Sequence, residues 1–400
     1  MELSKICKYI TSRIDSASLN VDNYISTENM MQNRAGVISA SKIPPEKAVE
    51  FKPGDILVSN IRPYFKKIWF ADRSGGCSSD VLCIRALEGT DSVYLYYLLS
   101  QDSFFDYVMS GAKGSKMPRG DKNQIMKWDI NLPDIDKQKR IGQMLKSIDD
   151  KILLNNRINH NLEEQAQALY KSWFIDFEPF KDGKFVDSEL GMIPEGWSIK
   201  KVGELPLFIA DYVANGSFAS LKENVTLSEQ EDYAIFVRNT DLKSGNFGVY
   251  VNRASYDFLA KTRLFGGEII VSNVGDVGSV HLCPGLNYPM TLGNNVIMIR
   301  PVDNCYSAFL YLNLKYFSGH HSIEGITGGS AMPKFNKTDF KSIKMLVPPE
   351  SVLTQFASIE NPLFTDIEMS RQEVRKLCTI RDTLLPAMMD GTLPDQTINC

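Results

Sequence analysis

GDILVSNI (54–61) returns as GEIIVSNV (267–274), and GSKMP (114–118) returns as GSAMP (329–333). The offsets are 213 and 215 residues, and two patterns displaced by nearly the same distance mark an internal duplication. In both copies a second proline, Pro133 or Pro348, follows the methionine by 16 positions, so the spacing persists where identities fade. Outward from these motifs each copy reads alike. Short β-type runs (ILVSNI and VLCIRA; IIVSNV and NVIMIRP) precede a short helix (VYLYYLLSQDSFFDYVM; AFLYLNLKYF), then the GSxMP loop and, past the proline, a long helix.

In the first long helix Ile141, Leu145, Ile148, Ile152, Asn155, Asn159, Leu162, Ala166, Leu169 and Trp173 recur at alternating steps of four and three, which is a heptad seam. Shifting by 215 gives Phe356, Glu360, Leu363, Ile367, Ser370, Val374, Leu377, Arg381, Leu384 and Met388, a poorer seam in the same register. The two helices, 137–175 and 352–389, are expected to pair antiparallel, forming a rod of roughly 50 Å that separates the copies. Asn155 and Asn159 fix its register; the alternative is a helix break at Asn-Asn-Arg-Ile-Asn. Pro362 would kink the second helix near its start.

The expected fold class is therefore α+β: two repeated mixed α/β modules joined by two long helices in an antiparallel coiled coil. The modules span 1–133 and 194–348, the helical spacers 134–180 and 349–390, the linker 181–193 and a tail 391–400. The linker (KDGKFVDSELGMIPEGW, 181–197) carries glycine, proline and charge without periodicity.

With 400 residues, 43% hydrophobic and 23% charged, the chain has material for more than one core and no run of about 18 apolar residues for a membrane span. MELSKICKYI is too polar for a signal peptide, and seven cysteines without a CxxC pair read as reduced thiols, so a cytoplasmic location is expected. A net charge of −4 argues against coating DNA by charge alone. Basic charge is local: Lys113, Lys116, Arg119, Lys122 and Lys127 stand against Asp121, and Lys334, Lys337, Lys341 and Lys344 against Asp339.

Motifs for chemistry are poor. Neither GxxxxGK[ST] nor GxGxxG occurs, and GDVGSV (275–280) and TGGS (327–330) read as turns. The four histidines form no HExxH, and His320-His321 reads as a polar loop. Asn361-Pro362-Leu363-Phe364 resembles an adenine-methyltransferase tetrapeptide but departs at its third position and lies in the heptad region. Pro133-Asp134 with Asp149-Asp150-Lys151 fits the layout of a metal-dependent nuclease, yet Asp149 and Lys151 flank the seam where a nuclease needs them on a strand. No catalytic residue, metal ligand or cofactor is assigned to this chain.

QKRIGQMLKSIDDKILLNNRINHNLEEQAQALYKSWFIDFEPF (138–180) followed by GMIPEGW (191–197) resembles the central conserved region of the specificity subunits of type I restriction-modification systems. The duplicated G[DE]I[LI]VSN and GSxMP motifs and PP…QFASIENPLFTDI (348–367) extend the likeness to the whole chain. The resemblance implies two target recognition domains that read the halves of a split double-stranded DNA site, held apart by the helices. It also implies docking of type I methyltransferase subunits and then restriction subunits, which bring S-adenosylmethionine, ATP and Mg²⁺.

Candidate DNA-contacting residues are Arg62, Lys66 and Lys67 in IRPYFKK, Lys113, Lys116 and Arg119 around the first GSxMP loop, Lys334 and Lys337 around the second, and Arg238, Asn239 and Asn273 for base edges. A lysine-guarded strand edge and a purely structural turn are the competing readings of IRPYFKK and the loops. The competing functions are a stand-alone nuclease using Asp134, Asp149 and Lys151, and a partner-binding scaffold without DNA contact.

Overall fold

The computed structural model describes residues 1–43, 46–329 and 331–391, so the tail assigned to 391–400 falls, past Gly391, outside the described residues, as does Cys400. The other six cysteines are free thiols. The chain forms two compact units: the first joins Met1–Asn155 to the residues from Glu373 onward, and the second is Asn156–Gln372.

The first unit is built on a four-stranded antiparallel sheet in the order Cys7–Tyr9, Val81–Ala86, Ile56–Ser59, Ile68–Phe70. In the motif strand, Ile56 and Val58 face the helices Ser92–Ser100 and Asp102–Ser110, packing with Tyr94, Leu95, Leu98 and Phe104. Leu57 points the other way, into a core with Phe51, Trp69 and Cys77 shared with a second sheet. Alternation across a strand buried on both faces explains an unbroken apolar run. The one short helix expected over 93–109 is broken at Gln101, whose extended backbone separates two helices.

The second unit repeats the plan. Its sheet runs Leu207–Asp211, Val296–Pro301, Ile269–Ser272, Val280–Leu282, again all antiparallel. Ile269 and Val271 face Phe309 and Leu310 of the helix Cys305–Tyr316, while Ile270 faces Met298 and Leu292. The motif acid has the same use in both copies. Asp55 holds Arg85 by two bonds of 2.6 and 2.7 Å, and Glu268 accepts from Arg300 at 2.8 Å. Both carboxylates are almost wholly buried.

Each unit contains part of both long helices, which span Ile135–Phe174 and Glu350–Met389 without interruption, so the break considered at Asn155–Asn159 does not occur. They run antiparallel. In the first unit Asp149 meets Arg381 at 2.9 Å and Asn155 meets Glu373 at 2.8 Å. In the second, Glu163 pairs with Arg371, and the Tyr170 ring lies 6.1 Å from that of Phe356. Ile141, Leu145, Asn155, Asn159 and Ala166 are buried as the heptad requires. Beyond Ala166 the seam shifts by one residue: Tyr170 and Phe174 are the buried side chains, and Leu169 and Trp173 pack only partly against that core. Steps of four suit packing into a broad aromatic core, whereas steps averaging 3.5 suit a second helix.

Two local readings change. The segment read as a linker carries a β-hairpin, Phe185–Ser188 with Gly191–Pro194, turned at Gly191 with φ +95°. His320 and His321 lie in the helix Ser318–Ile326, not in a loop.

Candidate nucleic-acid interface

The duplicated GSxMP loop lies between two arms that are paired in the same way in both units. Lys113 and Arg119 exchange two backbone hydrogen bonds of 2.9 Å across the first, as Gly328 and Lys334 do across the second. Gly114 and Gly329 turn the chain with φ of +98° and +94°. A Cβ on Gly329 would lie 2.7 Å from the Met332 carbonyl oxygen, so the tight turn admits only glycine there.

The returning arm is anchored on the end of the motif strand. Gly120 N–H donates to the Asn60 carbonyl at 3.2 Å and Arg62 N–H to that of Pro118 at 2.8 Å; in the second unit Phe335 donates to Asn273 at 3.1 Å and Gly275 to Pro333 at 2.9 Å. The two GSxMP loops and the two VSN motifs, found separately in the sequence, are thus halves of one device.

Around the first hairpin, IRPYFKK forms a tight turn with Arg62 and Lys66 both left-handed, at φ +50° and +49°. Tyr64 is exposed, and the Arg62 guanidinium sits 6.0 Å from the Phe65 ring. Lys66 reaches Asp102 at 2.8 Å, and Arg34 pairs with the same carboxylate. Hydrogen bonding to Lys66 and then Arg34 holds that carboxyl below its ordinary range. Lys67 donates to the Thr27 carbonyl at 2.7 Å; burial, then the Arg62 charge, lowers its pKa. Lys113 pairs with Asp121 at 3.2 Å and Arg119 with Asp80 at 3.0 Å, whereas Lys116 is exposed without an ion pair among the described residues.

In the second unit Lys334 is likewise exposed and without an ion pair among the described residues, while Lys337 is tied to Asp211 at 2.9 Å. Arg238 grips Asp241 through Nε and Nη2, at 3.0 and 2.7 Å. Asn239 donates to Asp276 at 2.8 Å. Bonds from Lys243, Ser279 and Asn239 bring the Asp276 carboxyl down to about 2. Asn273 donates to the Phe335 carbonyl at 3.2 Å, within the hairpin anchor.

The candidates therefore fall into two kinds. Arg238, Asn239, Asn273 and Lys337 are engaged in internal polar contacts, and Lys67 is half-buried on a carbonyl. Lys116 and Lys334 have no ion pair among the described residues, and Lys113 and Arg119 sit in exposed pairs worth about 0–1 kcal/mol, which a phosphate can replace. Arg34 went unnoticed in the sequence. Its segment is not repeated, and it joins IRPYFKK through backbone bonds from Asn33 to Phe65 and from Arg34 to Lys66.

The nuclease constellation is occupied by structural bonds. Asp134 caps the first long helix, accepting from Lys137 N–H at 2.9 Å. Asp149 accepts from the Tyr97 hydroxyl at 2.7 Å and from Arg381, and Lys151 faces Glu373 at 3.6 Å. Among the described residues no group of three or more His, Cys, Asp or Glu side chains could hold a metal ion, and no helix is long and apolar enough to cross a membrane.

Residues 1–164 and 194–374 match the family described as the type I restriction modification DNA specificity domain. The MjaIX specificity subunit of Methanocaldococcus jannaschii is 30% identical, over 76% of this chain and 70% of that one. The HindI specificity subunit of Haemophilus influenzae is 23% identical over 98% of each chain. The crystal structure of a type I system S subunit from M. genitalium shares the fold at a TM-score of 0.61, with 16% identity over 97% of this chain and 95% of that one. The matched residues take in both hairpins, both motif strands and most of both long helices, and the chain belongs to the DNA specificity family of type I restriction-modification systems.

Proposed function

We propose that this chain supplies the address, and not the chemistry, of a type I restriction-modification complex. Each α/β module, 1–133 and 194–348, reads one part of a two-part double-stranded DNA target. The helical spacers 134–180 and 349–390 hold the readers apart and dock methyltransferase subunits, which in turn admit restriction subunits. Those partners bring S-adenosylmethionine, ATP and Mg²⁺, and the complex works in the cytoplasm.

The observation that carries this reading is the pair of identically anchored hairpins, each with an exposed lysine. Two copies of one presenting device suit two stretches of one duplex. The differing side chains beside them, Arg62 in one module and Gly275 in the other, let the two parts of the target differ in sequence. In this reading Lys113, Lys116, Arg119 and Lys334 contact phosphates and Arg62, beside the first hairpin, reaches a base edge, whereas Lys66, Lys67, Lys337, Arg238, Asn239 and Asn273 reach the DNA only by releasing the internal contacts described above.

Mapping methylated adenines after expression of the chain with its methyltransferase partners tests the proposal. A two-part motif with a fixed gap is expected. Methyl transfer by the purified chain alone, or methylation without a two-part motif, overturns it.

A further inference from the structure

The two hairpins share one feature that phosphate binding does not use. Each carries a methionine at its tip, and both are exposed: Met117 at 50% and Met332 at 60%. Single exposed apolar side chains are ordinary on a protein surface. These two differ in recurring at the same position of a duplicated device, each exposed on its own hairpin. A cation stands beside each, Lys116 and Arg119 in one and Lys334 in the other.

We propose that Met117 and Met332 enter a groove of the DNA duplex and pack against base edges, while Lys116, Arg119 and Lys334 hold the phosphates along the groove walls. The inference rests on the DNA-reading function proposed above and names the apolar part of it. A thioether on three rotatable bonds is polarisable and adapts its shape, which suits a thymine methyl group or the edge of a base step. The flanking positive charge selects a polyanion over an apolar protein partner. The rigid anchor limits the ordering cost to the side chain itself.

Oxidation by dilute peroxide, read by mass spectrometry on the complex with methyltransferase subunits, provides the test. With the target duplex added, oxidation of Met117 and Met332 is expected to slow at least fivefold. Met192, 54% exposed and outside the helical spacers, serves as the reference within the same chain. Met117→Ala and Met332→Ala are expected to weaken target binding about tenfold each, and Met→Leu at either site to restore most of it.

Unchanged oxidation in a complex that binds its duplex overturns the proposal while leaving the DNA-reading function intact. Protection that appears with methyltransferase subunits before DNA is added also overturns it, assigning the tips to a protein contact. A wild-type complex that shows no sequence preference in the same titration sinks the underlying function instead.

Discussion

Glu360 lies at a seam position of the second long helix with no exposed surface, and neither carboxyl oxygen has a hydrogen-bond partner among the described residues. Burial pushes its carboxyl from an ordinary 4.5 up to about 8. The folded chain therefore keeps a proton that the unfolded chain releases, and stability falls as pH rises from about 4.5 to about 8, then levels off. Glu360→Gln is expected to flatten that decline and to stabilise the protein at pH 8 by a few kcal/mol, read from denaturant unfolding at several pH values. Asp149→Ala makes the opposite case. It leaves Tyr97 and Arg381 without their shared acceptor and should cost roughly 1–3 kcal/mol. Cleavage per assembled complex should not change, and abolished cleavage with normal assembly would restore the nuclease reading. The acid of G[DE]I[LI]VSN and the arginine of VLCIRA or NVIMIRP recur in both copies, but the sequence does not pair them. Asp55 and Arg85 are 30 residues apart, and only strand pairing reveals them as neighbours.

At the scale of elements, the seam was legible because pairing of two helices imposes a period that the chain cannot hide. Its end was not, since the change from Leu169 and Trp173 to Tyr170 and Phe174 reflects the aromatic core it meets and not the helix itself. The hairpin at 185–194 escaped notice because its strands are short and its residues mostly exposed, so no periodic burial marks them. Asn159 is a polar seam residue whose Oδ1 is buried without a partner among the described residues. Asn159→Leu is expected to stabilise the chain by about 1–2 kcal/mol while loosening helix register. Thermal melts and light scattering would show this as a higher midpoint with more self-association; a lower midpoint would show that Asn159 contributes more than register.

For the whole molecule, the duplication gave the architecture, and the structure added which residues complete each unit. The first unit's core includes Leu385, Met388 and Met389 beside Ile141 and Leu145. Losing one such side chain costs about 2–5 kcal/mol, and losing three approaches the full stability of a domain. A chain ending at Gln372 should therefore expose residues 1–155 to protease while 156–372 survives as a resistant fragment. Equal resistance of both segments would contradict this division. The sites were less legible than the fold, because composition marks where cations are but not which carboxylates already hold them.

That shared core has a consequence in time. Met389 leaves the ribosome 234 residues after Asn155, which at about 5–20 residues per second is roughly 10–50 s. Throughout that interval the newborn first module lacks the side chains that close its core, and its apolar face is open to chaperones and to neighbouring chains. Its window of vulnerability is set by the speed of translation.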